Sequence, residues 1–196
     1  MSEVRILEQV ETEEDQHHAP PAKWLTCLIE IVILWLALTL MFVVRQAWLE
    51  PAAVTSSSME STLRPGERFL IDHRQSLSGK WQRGDIVLVE TQNGGWGEDV
   101  VVKRILGLPG ERVEIFRGRV FINGKALNEN YLKETPVSND SIPVQLGNGQ
   151  YYLLGDNRNN SGDSREFGPV SNDEIKGRAV RRLWSFQPFV TPDYGK

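Results

Sequence analysis

Histidine and cysteine, the side chains that most often build metal sites and activate nucleophiles, are nearly missing from this chain of 196 residues, which has three of the first and one of the second. The lone Cys27 excludes an intrachain disulfide and carries no message about redox compartment. His17 and His18 are adjacent rather than spaced to share a face, and His73 follows Asp72 at the end of a strand-like stretch, so neither a metal site nor an imidazole base is expected. A basic excess is lacking as well. The net charge is -4, and residues 1 to 22 hold six acidic side chains against Arg5, a net of -5 that leaves the rest near +1. Such a body is no nucleic-acid binder on charge grounds.

Glycine and proline are absent from Trp24 to Val44, twenty-one residues with Glu30 as the one charge. About 20 such residues in a helix span a hydrocarbon core of roughly 30 Å. Lys23 and Arg45 bracket the run as anchors, with Trp24 and Trp48 at headgroup depth. A cleaved leader would have a shorter apolar core and a small-residue exit, and a core helix apolar on every face is uncommon in so small a domain. A transmembrane anchor over 23–47 is the expectation, with the lipid bilayer as partner. Charge bias across the run is too small to orient it. Ahead of it, residues 1–22 are too polar to fold alone and read as a flexible acidic tail.

Beyond Pro51 the pattern changes to short β-branched runs punctuated by glycine, proline and asparagine. Strands are predicted over 67–72, 85–90, 99–106, 111–116, 119–122, 150–154 and 177–184. The turns between them are Arg64-Pro65-Gly66, Asn93-Gly94-Gly95, Leu108-Pro109-Gly110, Arg117-Gly118 and Asn123-Gly124. Residues 128 to 148 read as polar loop, and no long helix follows the anchor. The expectation is a mainly β, antiparallel domain over 48–196.

Four of the seven residues Thr55 to Ser61 are serines. A serine hydroxyl is a weak nucleophile until a neighbouring base takes its proton, and with histidine scarce the base falls to lysine. On a strand, Lys103 shares a face with Val101 and Ile105, while Val102, Arg104 and Leu106 face the other way. An amine among apolar neighbours is desolvated toward its neutral, basic form. Strand pattern alone favours instead a lysine that snorkels to water from an edge. Gly155 to Arg165 is dense in hydrogen-bonding side chains directly after an apolar strand, as a functional loop would be, although a solvated turn of local Asx bonds has the same composition. Within it Ser161 can orient an amine, and Asp163 and Arg165 can pair.

Ser56-Ser57-Ser58-Met59-Glu60-Ser61-Thr62-Leu63, Gly84-Asp85-Ile86-Val87, Lys103 to Glu111 and Gly155 to Arg165 together resemble the type I signal peptidases of bacteria, the Ser/Lys leader peptidases. The likeness runs from the anchor to Phe186. One departure is Ser61, where that family usually has proline, and Glu111 stands for a more frequent aspartate. The resemblance implies a signal-peptidase-like catalytic domain behind a single transmembrane helix, in the cell membrane with the domain on the trans side. It also implies a serine endopeptidase acting on signal-peptide-bearing preproteins without metal or organic cofactor. Carried over by position, Ser58 is the nucleophile and Lys103 the general base. Ser56 and the backbone N–H of Ser58 form the oxyanion hole, Ser161 orients the lysine, and Asp163 with Arg165 is a supporting ion pair. A site about fourteen residues past the anchor can lie close to the bilayer, where a signal peptide's cleavage point emerges.

Three other readings compete. A soluble Ser/Lys self-cleaving repressor shares the dyad but not the apolar run. Penicillin-binding chemistry wants Ser-x-x-Lys, a spacing this chain lacks. A non-enzymatic membrane-anchored β module predicts that Ser58 and Lys103 lie far apart.

Overall fold

The computed structural model describes residues 23–46, 48–90, 100–137, 140–183 and 189. The acidic tail with its histidine pair, the Asn93-Gly94-Gly95 turn and Trp184 lie outside these described residues. The chain divides into two compact units, Met1–Arg45 and Gln46–Lys196.

Helix α1, Lys23–Gln46, is the apolar run. At 1.5 Å per residue its 24 residues reach about 36 Å. Its span Lys23–Val43 has mean hydropathy 2.5, and none of it is buried. The Thr39 hydroxyl donates to the Trp35 carbonyl at 2.7 Å, satisfying within the helix a group that hydrocarbon would penalise.

The second unit is built of antiparallel strands: β1 (Leu49–Ala53), β2 (Arg68–Asp72), β3 (Ile86–Glu90), β4 (Val100–Gly107), β5 (Arg112–Phe116), β6 (Arg119–Ile122), β7 (Lys125–Ala126), β8 (Ser141–Gln145), β9 (Gln150–Leu154), β10 (Val170–Ser171) and β11 (Ile175–Arg182). One sheet runs β1-β2-β11-β3-β4-β9-β10 and the other β7-β6-β5-β8. Two short helices, α2 (Arg74–Ser78) and α3 (Ser164–Phe167), sit between strands. The turns follow their chemistry. Glu67 N donates to Arg64 O and Glu111 N to Leu108 O, with Gly66 and Gly110 at φ +85° and +83°, so each is a Pro-Gly turn of type II, which needs φ > 0 at its third residue. Arg117-Gly118 and Asn123-Gly124 have positive φ at both central residues, as a two-residue type I′ hairpin turn demands.

Four strands were not expected: the two-residue β7 and β10, and the longer β1 and β8. β8 lies inside the presumed loop 128–148, and β1 just after the anchor. Both contain a proline, Pro143 and Pro51, and both are edge strands, the position where a strand tolerates a residue that cannot donate to a ladder.

Core packing fixes what the site needs. β4 lies between β3 and β9, with Lys103 opposite Val87 and Arg104 opposite both Ile86 and Leu154. The predicted alternation holds: Val101 and Ile105 pack with Trp81, Val87 and Leu153, while Val102 packs with Met59, Leu63 and Ile86. Met59 and Leu63 are buried and bonded as one turn, Leu63 N to Met59 O at 2.6 Å. They pin the serine-rich segment to the core.

Candidate active site

Ser58, 7% exposed, immediately precedes the Met59 anchor, and Lys103, 3% exposed, projects from the centre of β4. Their side chains meet: Lys103 Nζ lies 2.7 Å from Ser58 Oγ. Forty-five residues of chain separate the two, and the sheet closes that gap. Ser56 Oγ is 3.2 Å from Ser58 Oγ, so two hydroxyls and an amine share one nearly dry spot. A non-catalytic module with these groups far apart is not what the geometry gives.

The loop after β9 closes over this spot. Asp163 is fully buried and accepts from Gly155 N at 3.0 Å and from Arg165 Nε and Nη2 at 2.7 and 2.8 Å. Arg165 Nη2 also donates to the Ser161 carbonyl at 3.2 Å. The expected Asp163–Arg165 pair therefore forms, and it braces both ends of the loop. Ser161 packs against Gly155, its hydroxyl buried and without a hydrogen-bond partner among the described residues. His73 lies elsewhere in the domain, with Nδ1 2.8 Å from the Lys176 carbonyl and Nε2 3.0 Å from Glu50 Oε2.

Sequence reasoning missed a buried arginine beside Lys103. Arg104 lies flat on the Asp156 carboxylate, Nε to Oδ1 at 2.8 Å and Nη2 to Oδ2 at 2.5 Å, while Nη1 donates to the Gly84 carbonyl at 2.9 Å. Its guanidinium carbon is 4.3 Å from the Tyr131 ring centre, and the Thr62 hydroxyl donates to Asp156. The signal was there: an arginine alternating with apolar residues in a central strand needs a buried acid, and the 155–165 loop supplies two. Removing one partner of a buried pair costs roughly 3–5 kcal/mol because the other is left uncompensated. Asp156→Ala is therefore expected to lower the urea midpoint of the full chain in detergent by that much stability, and Asp156→Ala with Arg104→Met to recover most of it.

Tyr152 on β9 is buried, and burial first, then the negative charge of Asp163, pushes its phenol up to about 12 from the ordinary 10.0. Folding thus favours the protonated phenol. That stabilisation is whole below about pH 10 and is lost as pH rises through about 12. In alkaline unfolding, wild type is expected to lose stability across this window more steeply than Tyr152→Phe. Equal slopes would contradict the assignment.

A curled antiparallel β domain that buries a serine hydroxyl against an amine, far from any described histidine, defines a class: serine hydrolases that dispense with imidazole. A family-wide pattern described as Signal peptidase, peptidase S26, matches residues 27–184. Similar proteins include Probable signal peptidase I-2 of Synechocystis, 36% identical over 177 residues, 89% of this chain and 79% of that one. Signal peptidase I P of Bacillus subtilis subsp. natto is 38% identical over 152 residues, 72% of this chain and 80% of that one. A crystal structure of a signal peptidase I from Enterococcus faecalis has 34% identity and a TM-score of 0.45, covering 52% of this chain and 97% of that one. The chain belongs to the signal peptidase family, peptidase S26, whose members are serine proteases that remove signal peptides from preproteins. With its apolar α1, it is a membrane-associated member.

Proposed function

We propose that this chain cuts signal peptides from exported preproteins with Ser58 as nucleophile and Lys103 as general base, and that α1 crosses the membrane once, leaving the domain from residue 48 onward on the trans side. The observation that carries the reading is the 2.7 Å approach of Lys103 Nζ to Ser58 Oγ within a buried site. As the free amine, Lys103 takes the Ser58 proton while Oγ bonds to the scissile carbonyl carbon. The developing oxyanion receives hydrogen bonds from the Ser58 N–H and the Ser56 hydroxyl. Lys103 then returns the proton to the departing amine, leaving an acyl ester on Ser58, and a water deprotonated by Lys103 releases the signal peptide.

Substrate has a place to pair. β9 ends at Leu154 opposite Arg104, so among the described strands Val100 to Val102 pair with β3 alone. An extended peptide can add along that stretch of β4 and present its carbonyl to Ser58. The fully buried Asp163 holds Gly155 and Arg165, and through them Ser161, whose unpartnered hydroxyl is suited to orient the lysine amine.

The test is processing of a preprotein by the purified full chain in vesicles, with product termini read by mass spectrometry. Cleavage after a small-residue site is expected in wild type and none in Ser58→Ala. Cleavage by Ser58→Ala at the wild-type rate would sink the reading. Ser56→Ala, which removes one oxyanion donor, is expected to cost about 100-fold in kcat with little change in KM.

A further inference from the structure

The turn bearing Ser58 is gripped from a loop a hundred residues away. Asn157 Nδ2 donates to the Ser57 carbonyl at 3.1 Å, and Glu60 N donates to the same oxygen at 3.0 Å. Asn157 N donates to the Ser58 carbonyl at 2.9 Å, and Asn160 Nδ2 to the Ser57 hydroxyl at 3.0 Å. The Ser57 carbonyl and the Ser58 N–H belong to one peptide group. Such a group is planar and trans, so its C=O and N–H point in opposite directions. Whatever holds the Ser57 oxygen therefore aims the Ser58 N–H. Two donors on that oxygen fix the peptide plane against rotation, and one of them is a side chain.

We propose that Asn157 is a positioning residue that aims the Ser58 N–H at the oxyanion by holding the Ser57 carbonyl, with Asn160 steadying the same residue through its hydroxyl. This rests on the Ser58 N–H being an oxyanion donor, as read above. Loss of the Asn157 amide leaves the turn bonded by Glu60 N and by the Asn157 main chain, so the fold survives while the plane loosens. Because an oxyanion exists only once Oγ has added to the carbonyl, the loosening acts on the transition state and not on substrate binding.

The experiment uses the full chain in vesicles, comparing Asn157→Ala, Asn157→Asp and, as a control in the same loop, Asn159→Ala, whose side chain accepts instead from Val137 N. Two readouts are taken: kcat and KM on a preprotein, and affinity for a peptide aldehyde. Ser58 Oγ adds to the aldehyde carbon, the C=O π bond opens to an oxyanion, and the Ser58 proton passes to Lys103 Nζ. Asn157→Ala and Asn157→Asp are expected to lower kcat about 10-fold and weaken the aldehyde in proportion, with KM within about 2-fold. Asn159→Ala is expected to stay within about 2-fold throughout. Unchanged kcat in Asn157→Ala, a change confined to KM, or a kcat loss matched by an equal loss of folded protein overturns the proposal. If Ser58→Ala and Lys103→Ala are inactive while Asn157→Ala keeps its kcat, the positioning role alone falls. If Ser58→Ala or Lys103→Ala still cleaves, the underlying reading of the site falls instead.

Discussion

Lys103→Met is expected to lower kcat at least about 1,000-fold while the protein stays folded. A positioned general base contributes about 100 to 10,000-fold, and Lys103 is the side chain whose Nζ is in contact with the Ser58 hydroxyl at 2.7 Å. With histidine confined to His73 among the described residues, and His73 engaged with Lys176 and Glu50, no imidazole stands ready to replace it. Methionine keeps an unbranched apolar stem in a site only 3% exposed and brings no charge, so stability should change by less than about 1.5 kcal/mol. Circular dichroism and the urea midpoint separate lost chemistry from lost fold. Retention of more than about a tenth of wild-type kcat would remove Lys103 from the role of base.

Gly155→Ala is expected to cost about 100-fold in kcat/KM. A Cβ at this position would lie 2.6 Å from the Ser58 carbonyl oxygen and 2.6 Å from Ser161 Cβ, and closer still to the Ser161 hydroxyl. The first is backbone of the nucleophile itself, held in place by Asn157 N, and it cannot swing aside as a flexible side chain would. Either the Ser58 peptide or the loop that bears Ser161 must move. A shift approaching 1 Å at a catalytic group costs on the order of 100-fold. Overpacking adds a stability loss of about 1–3 kcal/mol. Ser161→Gly placed on top of Gly155→Ala should return part of that stability, since it clears the side-chain overlap, but not the activity. Wild-type kcat/KM in Gly155→Ala would show that the 155–165 loop does not constrain the nucleophile.

Much of the fold was legible because its turns are local chemistry. Pro65-Gly66, Pro109-Gly110, Arg117-Gly118 and Asn123-Gly124 each dictate a turn whatever surrounds them, and the apolar runs between them can only be strands. β1 and β8 escaped notice because Pro51 and Pro143 break the local pattern, and only the finished sheets reveal that these residues lie on edges. The face that Lys103 shares with Val101 and Ile105 followed from period-two alternation. What alternation could not give was the partner. Ser58 with Lys103, Arg104 with Asp156, and Asn157 with Ser57 are contacts across 45, 52 and 100 residues, and no propensity encodes them. For the first, the resemblance to signal peptidases supplied the pairing, and membership of that family is borne out by the match over residues 27–184. The other two had only a weak trace, a surplus of amide and carboxylate side chains in one loop.

The most direct measurement is the identity of the residue acylated during turnover. The full chain is mixed with an activated ester of a small-residue signal-peptide fragment, quenched in acid within a turnover, digested and mapped by mass spectrometry. The acyl mass should appear on the peptide containing Ser58 and vanish in Lys103→Met. Acylation of any other residue, or undiminished acylation of Ser58 without the Lys103 amine, would contradict a hydroxyl activated by that lysine.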